Sequence, residues 1–255
     1  MHLTHVTSQY AVYDDVLPLD AFRRFWHMFR NTELNLVHAR GVSGYYRPSD
    51  GIPYEGPQIA WTTRPLEEVL PDVGDTDALP IAFYPVGDAH DDLVRAMQDA
   101  LRRHPELVGR ENVDWVGAMG RIIAYPPGTS ISWHADDDDV TASVIYYANP
   151  HWDVQWGGEL FVADESTKGG LRREASLHEF ESALETEVLL TRGIGTYVMP
   201  KPNRLVLLAG ANPHKVAKVA SNAGDHVRAS FSAFLIRPGG VEALVRRGIE
   251  RAMRT

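Results

Sequence analysis

Apolar side chains follow a helical spacing early in the chain and a strand-like spacing later, and the change falls near residue 112. The segment "LDAFRRFWHMFR" sets Phe22, Phe25, Trp26 and Phe29 on one stripe, so it predicts a helix over 19–30 with Asp20 as N-cap. A second helix is predicted over 90–109, "HDDLVRAMQDALRRHPELVG", with Leu93, Met97 and Leu101 inward. Its acidic residues come early and Arg102 and Arg103 late, as the helix dipole favours. Between the two lies "GVSGYYRPSDGIPYEGPQIAWTTRP" (41–65), rich in Gly, Pro and Tyr, which reads as a long ordered loop of the lid type. Tyr45, Tyr46, Tyr54 and Trp61, with Trp152 further on, are its candidate lid aromatics.

Beyond residue 112 the predicted strands are Val116–Tyr125, Ala142–Ala148, Glu159–Ala163, Gly195–Met199, Arg204–Ala209, Lys215–Val219 and Val227–Ile236. They are short, rich in β-branched and aromatic residues, and bounded by Gly, Pro, Asn and Asp. Most have no helix between them, which favours an antiparallel sandwich or barrel over a parallel sheet. The C-terminal "VEALVRRGIERAMR" is again amphipathic and helical in spacing. The expected architecture is mainly β with flanking helices packed on one sheet. One domain over 1–255 is expected: a helical, lid-forming part (1–112), a β core (113–238) and a C-terminal helix (239–255).

With 255 residues, 44% of them hydrophobic, the chain can bury a sizeable core. A net charge of -9 argues against a nucleic-acid partner, which normally demands a basic face. The absence of cysteine excludes disulfides, thiolate metal sites and cysteine nucleophiles, leaving histidine and carboxylate as the strong metal ligands. No secretory signal and no membrane-length apolar run is visible, so a cytoplasmic protein with no membrane partner is expected.

The chemistry concentrates in "SWHADDDD" (132–139). Residues i and i+2 of an extended segment project together, so His134 and Asp136 can share an ion while Asp137 points away. A third ligand, His214, stands in "GANPHKVAKV", at a loop-to-strand junction. Two histidines and one carboxylate leave open positions on a metal, the arrangement of non-haem Fe(II) oxygenases. In "HVRASFSAFL", alternation places Arg228, Ser230 and Ser232 on one face. An arginine on a small, polar inward face is costly without an anion, and a carboxylate answers it with a bidentate pair.

In the order Tyr125, His134, Asp136, Tyr147, Gly157–Gly158, His214 and Arg228, residues 116–237 resemble the Fe(II)/2-oxoglutarate-dependent dioxygenases, in their prolyl-4-hydroxylase-like branch. "VIYYANPHWDVQWGGEL" and "NRLVLLAGANPHKV" carry the resemblance. It implies a double-stranded β-helix (jelly-roll) core, with Fe(II) on His134, Asp136 and His214. It also implies 2-oxoglutarate and O2 as co-substrates, with ascorbate as an optional addition. Arg228 would bind the distal carboxylate of 2-oxoglutarate with Tyr147 beside it and Ser230 adding a hydroxyl, and Tyr125 would stand near the other end. Between Asp136 and His214 an inserted stretch around 165–194 reads either as a substrate lid or as a surface excursion.

The resemblance implies hydroxylation of an unactivated C–H bond with release of succinate and CO2. The substrate is expected to be a small metabolite, an amino acid or biosynthetic intermediate, with a protein prolyl side chain as the alternative. Two other classes stay open: a non-catalytic metal-binding β-barrel sensor, and a hydrolytic zinc enzyme with Glu159 as its base. Neither gives Arg228 a task.

Overall fold

The computed structural model describes residues 1–37, 46–69, 81–167 and 183–240. In chain order the elements begin with β1 (His2–Val6), β2 (Tyr10–Asp14), α1 (Leu19–Asn31), β3 (Asn35–Leu36) and β4 (Tyr54–Thr62). Next come α2 (Leu66–Val69), β5 (Ile81–Phe83), α3 (Ala89–Leu101), α4 (Pro105–Val108), β6 (Gly117–Tyr125), β7 (Ile131–His134) and β8 (Val140–Tyr147). The last are β9 (Leu160–Ala163), α5 (Ala183–Arg192), β10 (Gly195–Val198), β11 (Arg204–Ala209), β12 (His214–Val216) and β13 (Arg228–Ile236).

The strands form two sheets. The larger runs β1-β2-β11-β8-β13-β6-β4-β3, with β5 added parallel to β4, and the smaller runs β10-β9-β12-β7. Two antiparallel sheets facing each other with these crossed connections are the expected jelly roll, and the seven strands predicted beyond residue 112 are all present. The part before residue 112, expected to be helical, also supplies β1, β2 and β4 to the larger sheet. The 41–65 stretch is accordingly not all loop, since residues 54–62 pair with β6. Its Gly and Pro content marks a bulge at Gly56–Pro57, where β4 carries one residue more than β6.

Alternation along each central strand divides the larger sheet cleanly. Ala142, Val144 and Tyr146 of β8, with Ala229, Phe231 and Ala233 of β13, face the helices. There Phe25 of α1 meets Tyr146 edge-on, and His90 of α3 lies against Phe25 and Phe231. Helix α1 buries Phe22, Phe25 and Phe29 of the predicted stripe and Trp26 in part, but Pro18 occupies its N-cap position and Asp20 lies in the first turn, paired with Arg24. The second predicted helix is two. Leu101 ends α3 and Pro105 starts α4, because proline cannot continue a preceding helix. Asp88 caps α3 through the His90 amide. The expected C-terminal helix lies outside the described residues from 241 onward, as do residues 168–182 of the inserted stretch. Among the described residues no helix is long and apolar enough to cross a membrane.

Candidate active site

The opposite faces of β6, β8 and β13 look toward the smaller sheet, and there Arg228, Ser230 and Ser143 are buried. Two apolar clusters flank them. One holds Ile145, Tyr147, Leu160 and Val162, the other Ile123, Tyr125, Ile131 and Val216. Arg228 lies between the two, with its guanidinium carbon 4.9 Å from the Tyr147 ring centre and 5.2 Å from that of Tyr125.

The candidate metal-binding half is built by pairing in the smaller sheet. His134 of β7 stands opposite His214 of β12, with ring centres 4.2 Å apart. A register shift between β7 and β12 sets Ile131 opposite Val216 and His134 opposite His214, so both β7 residues face inward although they are three apart. Trp133 faces outward, where Lys215 lies over its ring. Each histidine places Nδ1 at 2.8 Å from a backbone carbonyl, that of Ser132 for His134 and that of Asn212 for His214. Nδ1 therefore carries the proton and donates, which leaves Nε2 as a lone-pair donor for a metal.

Asp136 follows β7 by two residues and is 9% exposed. Ser143 Oγ of β8 donates to its Oδ2, while its Oδ1 is buried with no hydrogen-bond partner. One ligand atom each from His134, Asp136 and His214 lie within 4.8 Å of one another. A buried carboxylate oxygen without a donor, facing two imidazole lone pairs, fits a divalent cation. Among the described residues Glu159, the base of the hydrolytic alternative, stands outside this group.

The candidate anion-binding half lies on the larger sheet, on the faces of β6, β8 and β13 that look toward the smaller one. Arg228, 1% exposed, donates from Nε to the Gly158 carbonyl at 2.7 Å and from Nη1 to Ser230 Oγ at 3.3 Å. Its Nη2 and the Tyr147 hydroxyl are buried with no hydrogen-bond partner. Burial pushes the Tyr147 and Tyr125 hydroxyls up from their usual pKa, with the Arg228 charge opposing it, so both stay protonated. A buried cation with one unanswered donor, beside a hydroxyl equally unanswered, is the setting that a carboxylate completes.

The sequence-predicted residues thus fall into two groups on facing sheets: His134 and His214 on the smaller, with Asp136 just beyond β7, and Arg228, Ser230, Tyr147 and Tyr125 on the larger. The lid aromatics divide. Tyr46 reaches the site, its hydroxyl 3.1 Å from that of Tyr125, and Trp152 is buried against Trp156. Tyr54 is exposed on β4, and Trp61 is a correction: it lies buried under the helices because β4 alternation turns it away from the site. Tyr45 is outside the described residues. Sequence reasoning missed Ser143, although alternation with Tyr147 places it on the site face. It also missed Asp50, which accepts from the Ser130 and Ser132 hydroxyls and ties the segment bearing Tyr46 to β7.

Comparison with known proteins bears on the family and the fold. Residues 120–236 match the family described as the 2OG-Fe(II) oxygenase superfamily. Among solved structures the chain is similar to a prolyl-4-hydroxylase of Pseudomonas putida, at 20% identity and a TM-score of 0.55, over 91% of this chain and 94% of that one. It is also similar to a prolyl hydroxylase of Trichoplax adhaerens in complex with a hypoxia inducible factor peptide fragment, at 15% identity and a TM-score of 0.56, over 93% and 87% of the two chains. No curated protein sequence matches.

Proposed function

We propose that this protein, which matches the 2OG-Fe(II) oxygenase superfamily over residues 120–236, uses Fe(II), 2-oxoglutarate and O2, that His134, Asp136 and His214 hold the iron, and that it hydroxylates an unactivated C–H bond of a small metabolite. The observation that carries the reading is the set of unanswered buried polar atoms. Asp136 Oδ1 stands at the metal end, and Arg228 Nη2 and the Tyr147 hydroxyl at the carboxylate end. When bound, iron and 2-oxoglutarate supply oxygen-dependent oxidative decarboxylation coupled to hydroxylation.

The chain's own residues prepare the site for that chemistry. The backbone carbonyls of Ser132 and Asn212 orient the two imidazoles, and Ser143 orients Asp136, toward a shared point. Arg228 and Tyr147 receive the distal carboxylate, with Ser230 and Gly158 fixing the guanidinium. The flanking apolar clusters keep water from the walls. A sensor barrel or a hydrolytic zinc site leaves Arg228 as a buried charge with a spare donor, which costs stability and serves nothing.

The test is oxygen-dependent release of succinate from 2-oxoglutarate by purified protein with added Fe(II). His134→Ala and His214→Ala should lose both iron binding and succinate release. Iron-dependent turnover retained in either variant contradicts the ligand assignment.

A further inference from the structure

Strand β8 ends at Tyr147, while its neighbour β13 runs on for two residues to Arg228. The register that sets Tyr147 opposite Ser230 would carry on to place Asn149 opposite Arg228 and Pro150 opposite Val227. Main chain alone cannot complete that ladder, because proline has no N–H to give. The Ala148 N–H still reaches the Ala229 carbonyl, at 3.0 Å. Beyond it the side chain of Asn149, a residue 7% exposed, takes the place of the main chain. Its Oδ1 accepts from the Ala229 N–H at 2.7 Å, and its Nδ2 donates to the Val227 carbonyl at 2.8 Å.

Those two groups belong to the peptide units on either side of the Arg228 Cα. Fixing two planar peptides fixes φ and ψ between them, and with them the direction in which the arginine leaves the strand. On the other edge Arg228 pairs with Tyr125 of β6. The segment that starts at Asn149 then returns to the guanidinium at its far end. There the Gly158 carbonyl accepts from Arg228 Nε at 2.7 Å, next to Gly157, whose carbonyl accepts from Trp152 Nε1 at 2.9 Å. Only a side-chain amide both accepts and donates from separate atoms in this way, since a carboxylate has no donor. Packing gives no reason for it. Ala229 and Val227 already lie in or against the apolar layer under the helices, and a strand could end at Ser230 without burying an amide.

We infer that Asn149 is a positioning residue for the co-substrate: it sets the backbone of Arg228 so that the guanidinium meets the distal carboxylate of 2-oxoglutarate. This rests on the oxygenase reading above. Arg228 Nη2 and the Tyr147 hydroxyl, both buried without a hydrogen-bond partner, are the groups that have to converge on that carboxylate. A bidentate guanidinium–carboxylate pair is geometrically demanding, so a small error in the origin of the side chain is felt at its tip. The resulting defect is confined to the distal carboxylate and leaves the metal end alone.

The experiment is calorimetry on the full chain with Mn(II) in place of iron, which measures binding without turnover. The ligands are 2-oxoglutarate and 2-oxopentanoate, which has a methyl group where the distal carboxylate stands. Asn149→Ala should weaken 2-oxoglutarate by about 10-fold or more, and leave 2-oxopentanoate and Mn(II) itself close to their wild-type affinities. Asn149→Ser, whose hydroxyl can restore one of the two contacts, should fall between, and it carries the same comparison if Asn149→Ala does not fold. In an Arg228→Met background Asn149→Ala should add nothing, because a residue that acts through another is silent once the other is gone. Unchanged 2-oxoglutarate affinity in the folded variant overturns the inference. So does equal weakening of both acids and the metal, which would make Asn149 part of the fold alone, and so does the full loss persisting beside Arg228→Met. Wild-type protein that binds 2-oxoglutarate no more tightly than 2-oxopentanoate contradicts the oxygenase reading instead.

Discussion

Gly158 and Arg228 are packed so closely that neither position can change alone. The arginine Nε donates to the glycine carbonyl at 2.7 Å, and a Cβ on Gly158 would lie 2.7 Å from the arginine Cδ. Gly158 also has a positive φ of +77°. Gly158→Ala should therefore cost about 1–2 kcal/mol of stability from the backbone alone. It should also displace the guanidinium, raising the 2-oxoglutarate KM by about 10-fold, the equivalent of ~1.4 kcal/mol. Urea unfolding and a 2-oxoglutarate titration read the two effects separately.

Arg228 itself separates stability from function. Arg228→Met keeps most of the volume and removes a buried charge with an unanswered donor. The variant should be at least as stable as the wild type, by the logic that apolar replacement of buried charge is neutral or stabilising by about 1–4 kcal/mol. Its 2-oxoglutarate KM should rise by about 30-fold or more, while iron affinity stays close to that of the wild type. A large loss of stability with 2-oxoglutarate affinity intact would assign Arg228 to the core.

Much of this site was legible in the sequence because strand periodicity acts on specific residues. Arg228, Ser230, Tyr147 and Tyr125 each sit on the face that alternation gives them, in strands whose register is fixed by apolar partners on the other face. Two features resisted. The β7–β12 register shift turns Trp133 out and His134 in, and nothing in "SWHADDDD" announces it. Strands β2 and β4 pair with β11 and β6, partners distant in sequence, so local pattern underdetermines them, and β1 joins the sheet only through β2. The long helix expected over 90–109 broke at a proline that the pattern already contained.

Ser143 tests how the carboxylate ligand is aimed. Its hydroxyl donates to Asp136 Oδ2, which turns the other oxygen toward the histidines. Ser143→Ala should weaken iron binding by about 10–100-fold, as loss of such supporting contacts does. Activity should return at raised Fe(II), and Ser143→Thr should restore affinity. Metal titration followed by activity rescue reads this directly.

Asp14 links the fold to pH. Burial alone would push its carboxyl up, but hydrogen bonds and charge from Arg204 and Lys201 hold it below the usual carboxylate range. A depressed folded pKa contributes stability above the unfolded value of about 3.9, and that stability is lost as pH falls toward the lower folded value. Asp14→Asn should cost about 1–3 kcal/mol at neutral pH. The difference from wild type should shrink as pH drops below about 4. Urea midpoints at pH 7 and at pH 3 provide the comparison.

The central claim is that iron sits on one aspartate of the four in "SWHADDDD". The most direct measurement is Fe(II) content, with succinate released per O2 consumed, in Asp136→Ala beside Asp138→Ala. Asp136 is buried with an unanswered oxygen beside His134 and His214, whereas Asp138 is exposed and uses its backbone carbonyl to accept from Arg237. Asp136→Ala should hold no iron and release no succinate, while Asp138→Ala should match the wild type in both. Full iron content and turnover in Asp136→Ala, with loss of both in Asp138→Ala, would contradict the account at its centre.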